Sequence, residues 1–168
     1  MKTLIFLVSL IFLLATTSCE KDPVTNPLPS NPPDYFLFGH YFGMCGGEQC
    51  IEIFKVQGNV LYEDSVDKYP SNRIPYQGKY YRHSDSLFQL ARYLYQQMPS
   101  QLWNVKDTTI GMPDAADWGG LYFEISQNGR HRYWLIDKME SNLPEYLRPF
   151  SERIEEAVQK LQSRNSQR

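Results

Sequence analysis

A chain of 168 residues carrying 17 basic and 19 acidic side chains, with no basic block, lacks the electrostatic footprint of a nucleic-acid binder. The length is enough for one domain with a real core and too short for two ordinary ones. Twelve Tyr and nine Phe weight the composition towards a sheet that is half buried and half wet.

Lys2 followed by the uncharged run from Leu4 to Ala15 has the layout of an export signal: a positive start, then about twelve apolar residues, too few to span a bilayer comfortably. Two processing routes fit, cleavage after small residues or lipoprotein processing in front of Cys19. Thr17-Ser18-Cys19 supplies the small residues that the second route needs. The stretch resembles bacterial lipoprotein signals, with Thr16 where those signals more commonly carry Leu, Val, Ile or Ala. That resemblance implies an acylated Cys19 and a membrane anchor. Several acyl chains, at roughly 0.8 kcal/mol per buried CH₂, hold stably without a transmembrane helix. The alternative, a free thiol at Cys19, leaves a reactive group exposed in an oxidising compartment. Glu20-Lys21-Asp22 is similar to the charged export tags of Bacteroidota surface lipoproteins, which implies outer-membrane residence, on its periplasmic or its outer side.

From Glu20 to Pro33, five of fourteen residues are proline, a semi-extended linker reaching on the order of 40 Å. The organisation is therefore a signal over 1–18, an acylated cysteine with its linker over 19–33, and one domain over 34–168.

Within the domain, Tyr35 to Phe42 reads as a buried aromatic strand. Ile51 to Val56 and Val60 to Asp64 form a hairpin across Gly58-Asn59, and Gly78 to Arg82 is a shorter strand. Ser84 or Asp85 can cap a helix with Leu87, Leu90, Ala91, Leu94 and Met98 on one stripe, stopped by Pro99. The segment from Gln101 to Gly120 has no period and is expected to be a functional or packed loop. Asn128-Gly129 suits a type I′ turn between 121–127 and 130–137, which places Phe123 opposite Trp134, Leu121 opposite Ile136 and Ile125 opposite Arg132. Leu121, Phe123, Ile125, Trp134 and Ile136 then face the core, and Tyr122, Glu124, His131 and Tyr133 face away. Asn142 to Glu145 opens a helix with Leu147, Phe150, Ile154, Ala157 and Leu161 at helical spacing. Pro149 predicts a kink or a short first turn, and the tail from Gln162 is expected to fray. The fold class is α+β: a mainly antiparallel sheet of about six strands with two helices packed on one face.

Three constellations carry chemical interest. Cys45 and Cys50 suit a disulfide, with free thiols or half of a metal site as alternatives, although no second cysteine pair exists and His40, His83 and His131 are scattered. Asp107, Asp114 and Asp117, followed by Trp118, place carboxylates and an indole in one long loop, a pattern usable for calcium or acid–base work but matching no EF-type spacing. The outward face of Tyr122, His131 and Tyr133 is a candidate surface for sugar or peptide, or else the covered or wet side of an antiparallel sheet. No cofactor motif, phosphate loop or nucleophile elbow is present.

Phe42-Gly43-x-Cys45-x-Gly47-x2-Cys50, the Ile51-Glu-Ile-Phe-Lys55 strand, Leu61 to Asp64, and Pro113-Asp114-x2-Asp117-x-Gly119-Gly120 together resemble a group of small Bacteroidota lipoproteins with no assigned activity. Met112 and Ala115 stand where that group carries a second cysteine pair, which argues against a four-cysteine site. The expectation is an anchored, non-enzymatic binding or envelope-structural module, meeting the membrane through its lipid and an envelope protein or glycan through its domain. The alternatives are a small-ligand or calcium binder using the 107–120 loop, and a hydrolase.

Overall fold

Residues 31–46 and 48–165 are described by the computed structural model, so the expected signal, Cys19 and the linker up to residue 30 lie outside the described residues. The aromatic and β-branched runs form strands β1 (Tyr35–Tyr41), β2 (Ile51–Gln57), β3 (Val60–Asp64), β4 (Tyr80–Arg82), β5 (Thr109–Ile110), β6 (Gly120–Gln127) and β7 (Arg130–Asp137). They make one sheet in the order β4-β3-β2-β1-β6-β7-β5. All pairings are antiparallel except β5 with β7, which run parallel. The expected mainly antiparallel sheet of about six strands is thus refined, among the described residues, to seven strands with one parallel edge. The extra strand lies in the segment expected to be irregular, where Leu135 N–H donates to Thr108 O at 2.7 Å and draws two residues onto the free side of β7.

The β6–β7 hairpin has the register that its Asn-Gly turn dictates: Phe123 opposes Trp134, Leu121 opposes Ile136 and Ile125 opposes Arg132. Asn128 and Gly129 both adopt positive φ, at 54° and 73°. The inward residues meet two helices, α1 (Asp85–Ala91) and α2 (Arg148–Asn165), in one core with Phe36, Phe38 and Phe54. Phe123 lies between Trp134, stacked at 6.3 Å, and Phe150, edge-on at 4.9 Å. Pro149 sits in the first turn of α2, where a missing N–H costs little, behind a short 3-10 turn at Glu145–Leu147.

Three local expectations are corrected. The first helix ends at Ala91, and the chain tightens into a 3-10 turn at Leu94–Gln97, which still buries Leu94 and sets Tyr95 against Phe36. Ser84 occupies the N-cap position of α1 but its hydroxyl makes no capping bond, pairing with Ser86 instead. Gln162, where fraying was expected to begin, lies within α2, and its side-chain amide contacts His40 Nε2 at 3.3 Å.

Among the described residues, the opposite face of the sheet is covered by a connection and not by either helix. The 65–79 connection folds over it, anchored on Asp64, which accepts Tyr76 Oη–H at 2.6 Å, Lys79 N–H at 2.6 Å and Asp67 N–H at 3.0 Å. This lid closes a second, smaller core of Leu37, Tyr41, Ile53, Tyr122 and Leu135. The linker's end also belongs to the domain: Asn31 bonds Asn128 and Gln127 beside the hairpin turn.

Candidate binding cleft

Two aspartates shape the loops at one end of the lidded face. Asp137 closes β7, is buried, and accepts Met112 N–H at 2.7 Å, Met139 N–H at 2.8 Å and the Asn142 amide at 2.8 Å. Asp114 ties three separate segments: its Oδ2 accepts Gly43 N–H at 2.9 Å and Tyr69 Oη–H at 2.8 Å, and its Oδ1 accepts Gly119 N–H at 3.0 Å. Burial and the bond to this carboxylate push the Tyr69 phenol up to about 12, so it keeps its proton and donates. The turn that Asp114 closes is unusual backbone, since Asp114, Ala116 and Asp117 all have left-handed φ values of 62°, 54° and 64°. Aspartate tolerates that region; alanine does so at a cost of about 1–2 kcal/mol, which the surrounding bonds must offset.

Between these clamps lies an open cleft of about 590 Å³. Tyr41 and Leu135 line it from the sheet, the 69–72 segment forms one wall, and Thr109, Met112, Pro113 and Ala115 form the other. None of the lining residues is charged. Tyr41 fits because β1 pairs it with Gly120: a Cβ at Gly120 would overlap the Tyr41 ring, and one at Gly119 would overlap the Phe42 ring. Tyr69 meets Tyr41 edge-on at 5.0 Å. Four buried side-chain polar atoms lack a hydrogen-bond partner among the described residues, and the Tyr41 hydroxyl is the one that belongs to this lining.

Around the cleft the clamped loops display large apolar side chains. Met44 is 81% exposed, Trp118 65%, Met112 62% and Tyr69 44%, and each lies on, or within two residues of, a segment that Asp114 joins. Exposed apolar groups fixed on a strained, heavily bonded loop make this rim a candidate recognition surface.

The structure brings the sequence-derived candidates into three different places. Asp114 and Trp118 border the cleft, Asp114 as a clamp whose two oxygens are taken up by loop donors, and Asp117 is exposed on the same turn. Tyr122 is fully buried beneath the lid, where its hydroxyl donates to Glu124 and accepts Tyr76 N–H at 2.9 Å. His131 contacts the same Glu124 at 2.9 Å, and Tyr133 donates to Asn72 O at 3.1 Å, which pins the cleft wall to β7. Cys45 and Cys50 form a disulfide with a Cα separation of 5.6 Å. Among the described residues, no group of three or more His, Cys, Asp or Glu side chains is placed to hold a metal ion.

Sequence reasoning missed Tyr41, Tyr69 and Asp137. It also missed a buried acid pair on the helix-covered face, Glu52 and Glu63 on neighbouring strands, with His83 bonded to Glu63. Burial pushes Glu52 up to about 8, against a lowering bond from Gln162 and with repulsion from Glu63 adding to the rise. For Glu63 burial pulls the same way, but bonds from His83, Tyr81 and Glu52 hold it below the ordinary range. One proton is thereby kept on Glu52 and the negative charge on Glu63. The signal for this pair was the polar residue at an inward position of each strand.

No protein-family model, curated protein or solved structure matches the chain.

Proposed function

We propose that the chain is a lipid-anchored envelope protein, tethered at Cys19 through the proline-rich linker, whose domain binds a ligand or partner in the Tyr41–Tyr69 cleft without performing chemistry on it. The observation that carries the reading is the clamped apolar rim: Met44, Tyr69, Met112 and Trp118 stand exposed on loops that Asp114 holds at three points. A histidine–carboxylate acid–base pair at the Asp114 loop would need a histidine at hydrogen-bond range of a carboxylate there. The three histidines bond elsewhere, His40 with Gln49 O and Gln162, His83 with Glu63, and His131 with Glu124. Of the two halves of the ligand-or-calcium alternative, the cleft supports the small-ligand half.

The anchoring half of this reading is tested by intact mass and tandem mass spectrometry of the protein extracted from membranes. A mature chain beginning at Cys19 with a diacylglyceryl group is expected. A mature N-terminus at any other residue would refute it.

A further inference from the structure

We infer that the ligand class of the Tyr41–Tyr69 cleft is a neutral saccharide. This deepens the binding reading above and rests on it.

Four features of the lining converge. None of the side chains that line the cleft is charged, so an anionic ligand would lose its hydration without gaining a counter-charge, and a cationic one would meet at the border only the Asp114 carboxylate, whose oxygens already hold three loop donors. The lining is nevertheless polar, with hydroxyl and amide groups from Ser71, Asn72 and Thr109 interleaved with the Tyr41 and Tyr69 rings and the apolar surfaces of Met112 and Leu135. A sugar ring presents that same alternation, with C–H faces that lie on aromatic and apolar surface and hydroxyls that both donate and accept. The Tyr41 hydroxyl lies over Gly120 at the base of the cleft, is buried and lacks a protein partner among the described residues, and an orphaned buried hydroxyl is costly, which favours a ligand whose own hydroxyl can reach down to it. Finally, about 590 Å³ falls within the ~300–1,000 Å³ typical of small-ligand sites, and Trp118, exposed one residue before the Gly119 clamp point, offers a further stacking plane for a chain longer than one ring.

A bound peptide is the main competitor, and its commonest route into a β-domain is strand addition at a free sheet edge. Here the two edges are β4, three residues, and β5, two residues, too short to template an added strand. Thr109, which lines the cleft, belongs to the shorter of the two.

The test uses the full lipidated chain in lauryldimethylamine oxide, a detergent without a sugar headgroup. It is titrated calorimetrically with maltotriose, cellotriose and chitotriose and applied to an array of neutral and acidic glycans and peptides. Saturable binding of at least one neutral glycan is expected. Tyr41→Phe, which deletes the hydroxyl and keeps the ring, is expected to weaken it about five- to tenfold, the scale of one hydrogen bond. Ala115→Trp, at an exposed lining position, fills the cleft and abolishes binding; it keeps the proposal testable should the Tyr41 change disturb packing. Absence of any neutral-glycan binding overturns the saccharide assignment, as does binding that Ala115→Trp leaves intact. A peptide or acidic glycan captured instead, and lost in Ala115→Trp, overturns the ligand class while the cleft stands as a binding site. Binding of every class insensitive to that substitution, or binding of no class, overturns both.

Discussion

Asp114 accepts a hydrogen bond from Tyr69 at 2.8 Å across 45 residues of sequence, and the same oxygen accepts Gly43 N–H from a third part of the chain. A single carboxylate thus decides where the lid, the disulfide-bearing loop and the left-handed turn sit relative to one another. Asp114→Ala leaves three donors without their acceptor in a partly exposed setting, and a destabilisation of about 1–3 kcal/mol is expected in urea unfolding. Trp118 should report the loosened loop as an altered emission spectrum. Unchanged stability and emission would show that the three bonds are incidental.

Because both oxygens of Asp114 are engaged by N–H and O–H donors, added calcium or a chelator is expected to leave Tm where it is. A Tm that rises with calcium and falls with chelator would show that a cation displaces these donors and would restore the calcium alternative.

Glu52 sets a pH dependence whose direction follows from its raised value. The native state holds a proton that the unfolded chain releases from about 4.5 upwards, so the stabilisation is complete below that pH and is lost as pH rises through about 8. The loss is on the order of a few kcal/mol. His40, whose value burial lowers, acts in the other window, costing stability as pH falls below its ordinary 6.5. Thermal scans from pH 5 to 9 should therefore fall on the alkaline side, and Glu52→Gln, which mimics the protonated acid, should flatten that limb. An alkaline limb identical in Glu52→Gln would rule the pair out as its cause.

The Cys45–Cys50 disulfide closes a loop five residues apart in sequence, which in the chain-entropy account stabilises by about 2 kcal/mol. Replacing both cysteines by serine is expected to lower stability by that amount while leaving the helix-covered core intact. A change of native far-ultraviolet circular dichroism beyond the loop would contradict so local a role.

What sequence pattern made legible was local. Asn128-Gly129 dictated the hairpin register, the 150–161 stripe gave α2, and two cysteines five apart gave the disulfide. The cleft escaped because each of its determinants is non-local. Tyr41 belongs to it only through pairing with Gly120 across β1 and β6, and no turn links those strands to announce the register. Tyr69 arrives from a connection that reads as polar loop until Asp64 is seen to hold it over the sheet. Thr109 and Ile110 are too few to show a period, and they become a strand because β7 has a free side. Tyr122 illustrates the same limit in reverse: alternation placed it on the correct face, but only the lid decides that this face is buried.

The claim that the cleft face is occupied in the envelope is tested most directly by hydroxyl-radical footprinting of the protein in intact cells against the purified chain. Protection in cells concentrated at Met44, Met112 and Trp118, with Tyr81 on the far sheet edge equally reactive in both, is the predicted result. Equal reactivity of those three residues in cells and in the purified protein would contradict it.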